Sequence, residues 1–334
     1  MVKKNRCVEL PLLEPLYQTY HYQGPATSII KDNPSIRNWY LNEAINLKCS
    51  RKFLSGFTTP EIAVPNSSWS DTPFIEKSWS SMRFMNGYVN PIIRGMLDKG
   101  YYVGFSGVDD YYIPGKTWYK ERHFNHDGLI CGYNQSDKTY CVFAYDSNWV
   151  YRKFWIPQKS FNEGRIAMNQ QGCYGHLCSM KPTNELVELS IDKVLENLVK
   201  YLDSSFEKYP LDQEGDVYGV VVHNYLLEYI KKLYDGSIAY ERMDRRVFRL
   251  VWEHKKAMLE RIQKIDNIQP LSVSFEEKYK PIVAEANAMR MLYASHHFKR
   301  RDSVLPIICD KLSYVMCEEQ KILTEFVEAL EGGR

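Results

Sequence analysis

In the run HFNHDGLICGYNQSDKTYCVFAYDSNW, residues 123–149, an imidazole opens one apolar segment and a carboxylate closes the next. Residues 127–133 and 139–145 read as strands, and Asn134, Ser136 and Asp137 between them favour a chain reversal. A hairpin centred on Ser136 puts His126 opposite Asp146, with their Cβ atoms ~5 Å apart on one face. The carboxylate then accepts from Nδ1–H, fixes the tautomer and leaves Nε2 as a base. A slip of one residue would send the two to opposite faces. The same register sets Cys131 opposite Cys141, expected as packed thiols in a reducing compartment. It also puts Gly128 and Gly132 on the face of His126, where they clear room for a close approach. His123 offers a metal alternative with His126 and Asp127. Strand geometry turns 123 and 126 to opposite faces and no third soft ligand is spaced for zinc, so no metal is expected.

The elements that must position these groups fall into two halves, residues 1–185 and 186–334. The first is mixed α+β. Residues 35–49 have a helical stripe of Ile36, Tyr40, Ala44 and Leu47 behind Ser35 as N-cap. A Pro-, Ser- and Thr-rich loop follows over 58–73. A second helical stretch is expected over 73–100, broken near 87–91 and ended by Gly100. Residues 101–108, 150–157 and 174–181 read as strands, and 109–119 as an aromatic loop. The second half is an all-α bundle. Its helices are expected over 190–202, 216–236, 245–265, 275–298 and 303–330, with apolar stripes and charged outer faces.

Composition narrows the function classes. The chain has 334 residues, 44% hydrophobic and 25% charged, with a formal net charge of +2. That balance gives no reason to expect a nucleic-acid partner. No segment approaches the ~20 apolar residues of a membrane span and no signal peptide is evident, so a soluble, cytoplasmic protein is expected. The eight cysteines form no C-x-x-C pair, which argues against a zinc ribbon or a redox motif. The 25 tyrosines can line a groove or fill a core.

The run DDYYIPGKTWYKERHFNHDGLICGYNQSDKTYCVFAYDSN resembles the N-terminal domain of the butirosin-biosynthesis-H-like family, papain-like and transglutaminase-like proteins of bacterial antibiotic and lipopeptide pathways. The matching elements are Tyr111 and Tyr112, His126, GYNQSD and Asp146, and FRLVWEHKKAMLERI resembles the helical half of related proteins. The resemblance implies a papain-like α+β domain followed by helices. It implies an acyltransferase that moves an acyl or aminoacyl group from the phosphopantetheine thioester of a carrier protein to a small amine, as in the related amide-forming enzyme of closthioamide assembly. No cofactor is implied beyond the carrier's own phosphopantetheine. A cysteine would attack, His126 would activate it and Asp146 would orient His126. Asp110, Tyr112, Tyr119 and His123 would shape the substrate mouth.

The chain departs from this pattern at the nucleophile. The papain-like cysteine normally starts a helix, where the dipole lowers its pKa. The expected helix over 35–49 has none at its start, and Cys49 falls at its end. Cys49 is the best cysteine; Ser28 and Ser35 are poorer candidates. Without a covalent nucleophile, His126 can deprotonate the attacking amine directly, since a thioester is already activated. His21 and Tyr22 also carry side chains suited to a site, but no pattern places them. Two other functions remain: a non-catalytic papain-like protein that docks a carrier protein, which the missing helix-start cysteine favours, and a cysteine peptidase or amidase.

Overall fold

Strands and helices of this chain divide between two units. The computed structural model describes residues 6–29, 34–56, 59–64, 74–205 and 215–332. The chain runs through β1 (Cys7–Glu9), α1 (Gln23–Ser28), α2 (Pro34–Glu43), β2 (Leu47–Ser50), β3 (Glu61–Ile62), β4 (Ile75–Ser81), α3 (Val89–Asp98), β5 (Tyr102–Asp109) and β6 (Asn125–Asn134). It continues through β7 (Thr139–Tyr145), β8 (Tyr151–Pro157), α4 (Gln158–Gln170), β9 (His176–Pro182), α5 (Ile191–Asp203), β10 (Asp216–Tyr218), α6 (Val222–Tyr234), α7 (Val247–Ile268), α8 (Phe275–Lys299) and α9 (Val304–Gly332). Residues 1–36 and 70–186 form one unit, and residues 37–69 and 187–334 the other. The first unit gives way to the second after residue 186, and residues 37–69 belong to the unit that holds 187–334.

The first unit is an antiparallel sheet in the order β4-β9-β5-β6-β7-β8. β1 lies beside the far end of β6, Cys7 opposite Asn134, beyond the stretch that β5 pairs. Val89, Ile93 and Leu97 of α3 and Phe161 of α4 pack with Val103, Ile130, Val142 and Ile156 of the sheet in one core. The hairpin register is the expected one at Leu129–Phe143 and Ile130–Val142. A bulge then shifts it, so Cys131 is the extra residue and Gly132 faces Cys141. Residues 75–81, expected as helix, are the edge strand β4, hydrogen-bonded to β9 along its length. The 58–73 loop lies outside the described residues except for 59–64.

The second unit joins a three-stranded sheet, β10-β2-β3, to helices α5 to α9. The expected helix over 35–49 ends early. It starts at Pro34, which puts Ser35 in the first turn and not at the cap, and it stops at Glu43. Cys49 then lies in β2, opposite Val217 of β10. The fully buried Arg261 of α7 helps to end the helix: Nε donates to the Leu41 carbonyl at 2.6 Å, and Nη2 to those of Tyr40 and Ala44. A charged donor on the last carbonyls suits a helix C-terminus. Arg261→Met keeps the stem but removes these donors, and should lower stability by roughly 3 kcal/mol in urea titrations. The Ser190 hydroxyl caps α5 by accepting from Lys193 N, and Ser274 caps α8 by accepting from Glu277 N.

Candidate functional site

His126 stands near the start of β6, where its backbone partner is Val108 of β5. Between Phe105 and Val108, β5 carries a bulge, with Gly107 at φ +70°. A Cβ on Gly107 would lie 2.4 Å from Gly175 Cα, so only glycine fits that crossing. The bulge re-aims the end of the strand. Asp109 closes β5, and Asp110 opens the short 3-10 turn Asp110–Tyr112.

The partner of His126 is therefore Asp110, not Asp146. His126 Nδ1 lies 2.8 Å from Asp110 Oδ2. The carboxylate can only accept, so Nδ1 carries the proton and Nε2 keeps its lone pair. Asp110 is 4% exposed, and the His126 side chain 21%. Lys116 Nζ lies 3.2 Å from the same Nδ1 and 3.8 Å from Asp110 Oδ2. Burial pulls the Lys116 ammonium below the usual lysine range, although Asp110, Asp127 and Asp146 pull the other way. The turn at Gly115, φ +86°, against the Phe154 ring brings this lysine inward.

Asp146 does a different job. Its Oδ1 accepts from the Asn148 and Val150 amides at 2.8 and 2.9 Å, and its Oδ2 from Arg152 Nε at 2.5 Å. Burial alone would raise this carboxyl; the amides and Arg152 outweigh it and hold Asp146 below the usual carboxylate range. It ties the turn between β7 and β8. The hairpin expectation failed here because the aspartate had a nearer, local set of donors.

A second imidazole, absent from the expected catalytic set, joins the site. His21 Nε2 lies 2.7 Å from Asp127 Oδ1, and its ring centroid 5.2 Å from that of His126. The Tyr151 hydroxyl donates to the His21 carbonyl, and Gly24 lets the Tyr151 ring lie against α1. Burial raises the Asp127 carboxyl, but the His21 hydrogen bond and the His21, His126 and Lys116 charges outweigh it and leave Asp127 low.

The aromatic loop folds on itself. His123 Nδ1 is 2.6 Å from the fully buried Asp109 Oδ2, and its ring stacks on Tyr111. Lys120 Nζ sits over the rings of Tyr111, Tyr112 and Tyr119 at 4.9, 5.2 and 5.6 Å. Tyr112 and Tyr119 thus form a loop wall around their own lysine. Asp110, expected at the substrate mouth, orients the imidazole instead. Grooves of about 610 Å³ beside Asp137 and Lys138, and about 330 Å³ beside Tyr101, open elsewhere on this unit.

Cys49 does not join this group. It belongs to the second unit, and its 1% exposed thiol donates to the Ser50 carbonyl. Burial first, and the Asp216 charge second, push it up to about 12, so it is protonated at neutral pH. The helix beside His126 is α1, entered through His21, Tyr22 and Gln23, with no cysteine. Ser28 is fully buried at the far end of α1. Cys173, half-buried, lies at 3.3 Å from Asn125 Nδ2. No sequence signal marks His21 as a member of the site, because the contact is made in space and far along the chain. Lys116, in GKTW, had at least a glycine turn to place it.

No family model and no curated protein matches the chain.

Proposed function

We propose that this protein transfers an acyl group from a carrier-protein phosphopantetheine thioester to an amine, with His126 as general base and without an acyl-enzyme. The observation that carries this reading is the Asp110–His126 bond, which leaves a half-buried Nε2 with its lone pair. The antiparallel sheet with its histidine at a strand start is consistent with a papain-like or transglutaminase-like domain. In the step, the amine nitrogen attacks the thioester carbonyl while His126 Nε2 takes the amine proton. The C–S bond breaks, and the imidazolium returns the proton to the departing thiolate. Asp110 stabilises the imidazolium, and Lys116 balances Asp110. The same absence of a helix-start cysteine favours a second reading, a binding protein that docks a carrier without turnover.

The test incubates the full chain with an acylated carrier protein and a panel of amines and follows intact masses. Amide without an acylated chain is the expected result. Cys49→Ala should keep the wild-type rate, since its thiol is buried and protonated, while His126→Ala should lose at least ~100-fold. An acylated Cys49 peptide would replace the base mechanism with a covalent one. Silence across the panel, with carrier binding retained, would favour the docking reading.

A further inference from the structure

We infer that His21, His126 and Asp127 form a binding site for a divalent zinc-class metal ion. Among the described residues they are the group of three such donors whose ligand atoms lie within 4.8 Å of one another. A triangle of that size has its centre within about 2.8 Å of each corner, so sub-ångström rotations bring all three atoms to the ~2.1 Å of zinc–nitrogen and zinc–oxygen bonds. His21 and Asp127 are 31% and 44% exposed in their side chains, so both can make that adjustment.

The surroundings suit a metal as well as the donors do. Neighbours on a strand ordinarily point to opposite faces, yet His126 and Asp127 converge here. They lie ahead of the first rung to β7, Leu129–Phe143, which leaves their flank of β6 to His21. His126 already donates Nδ1–H to a buried carboxylate, the outer contact that fixes the tautomer of metal-bound histidine and presents Nε2. Lys116 offsets the charge of Asp110 behind the ring, and the Asp127 carboxylate, which now accepts from His21 Nε2, is the anionic donor for the cation. Two imidazoles and one carboxylate match zinc in donor type and leave a position open to solvent or ligand. The expected alternative used His123, but the structure turns that ring to Asp109 and supplies His21 in its place.

Binding does not depend on the acyl-transfer reading. If both hold, metal and amine compete, because a zinc on Nε2 occupies the lone pair that the transfer needs.

The test titrates the chelator-treated full chain with zinc chloride by calorimetry and measures zinc per chain after dialysis. One equivalent should bind with micromolar or tighter affinity. His21→Ala and Asp127→Ala should each weaken it by a factor of about 100, and Asp110→Asn by about 10, as loss of an outer partner does. His123→Ala should bind as wild type. Melting curves check that the exposed-site variants keep their fold, and cobalt chloride gives an independent readout through its visible spectrum, which should disappear in His21→Ala. Failure of the wild type to hold an equivalent overturns the site. Equal retention by His21→Ala and wild type also overturns it, since that zinc would sit on thiols such as the exposed Cys7 and Cys317.

Discussion

Glu319→Gln should lower the stability of the helical unit by about 3–5 kcal/mol, the range for breaking a buried ion pair. Glu319 lies in the apolar stripe of α9 between Val315 and Leu323 and is 1% exposed. It accepts from Lys255 Nζ at 2.6 Å, from the Tyr201 hydroxyl at 3.0 Å and from the Tyr279 hydroxyl. Lys255, fully buried, also reaches His223 Nε2 at 3.0 Å. That nitrogen accepts, because His223 Nδ1 donates to the Val220 carbonyl. Residues from α5, α6, α7, α8 and α9 thus share one polar knot. Burial keeps the Lys255 ammonium below its usual range despite Glu319, whereas Glu319 falls to about 2 although burial opposes it. The asymmetry follows from the neighbours: Glu319 has Lys255, His223 and His254 around it, and Lys255 has one carboxylate. The pair is therefore ionised, and the glutamine variant strands an ammonium. Lys255→Met combined with Glu319→Met should lose less than either change alone, which a double-mutant cycle would read.

The same knot makes the unit sensitive to acid. Burial first, and the Lys255 charge second, lower His223 to about 4. An unfolded histidine takes up its proton near pH 6.5 and the folded one does not until about 4, so stability falls as pH drops through that window, by about 3 kcal/mol. Glu319 adds a loss of similar size as pH falls from about 4.5 towards 2, where the folded carboxylate finally protonates. Urea midpoints measured between pH 7 and 4 should decline steadily, and His223→Gln should flatten the upper part of that decline. An unchanged slope would mean that His223 is already charged in the fold.

The knot also shows what sequence reading can and cannot reach. Helices α5 to α9 are legible because burial follows their apolar spacing, and β5 to β9 because they are short apolar and aromatic runs between turn residues, continuously buried in β6 and β7. α4 is missing from that reading: QKSFNEGRIAMNQ buries Phe161 and Met168 but also Gly164 and Arg165, so its inner face hardly differs from a polar one. Gly164 is there because a Cβ would lie 2.9 Å from the Asp109 carbonyl. Residues 75–81 looked helical because the serines around Trp79 hide the edge-strand alternation. Cys49 followed a helical stripe, but pairing of β2 with β10, distant in the chain, pulled it into a strand. At the site, register reasoning placed the hairpin correctly at 129 and 143. The carboxylate that reaches His126 came from the turn that follows β5 instead, by way of a bulge that only GFSG hints at.

Asp110→Asn should reduce acyl transfer by a factor of about 100 or more, mainly in kcat, while Asp146→Asn should leave the rate within a few fold and lower stability instead. Asparagine at 110 can turn its amide NH₂ towards Nδ1. That favours the tautomer with the proton on Nε2, and the atom that must accept the amine proton then cannot. Substrate contacts do not involve this buried carboxyl, so KM should move little. Asp110→Asn also leaves Lys116 with one neighbour fewer to keep it charged, and the fully assembled fold must be checked by its melting curve before rates are compared. At Asp146, by contrast, the change weakens the grip on Arg152 and on the amides of Asn148 and Val150, a turn that shapes β8 without touching the imidazole. A rate loss at 146 larger than at 110 would return the orienting role to the hairpin aspartate. Turnover in Asp110→Asn equal to the wild type would remove His126 as an oriented base.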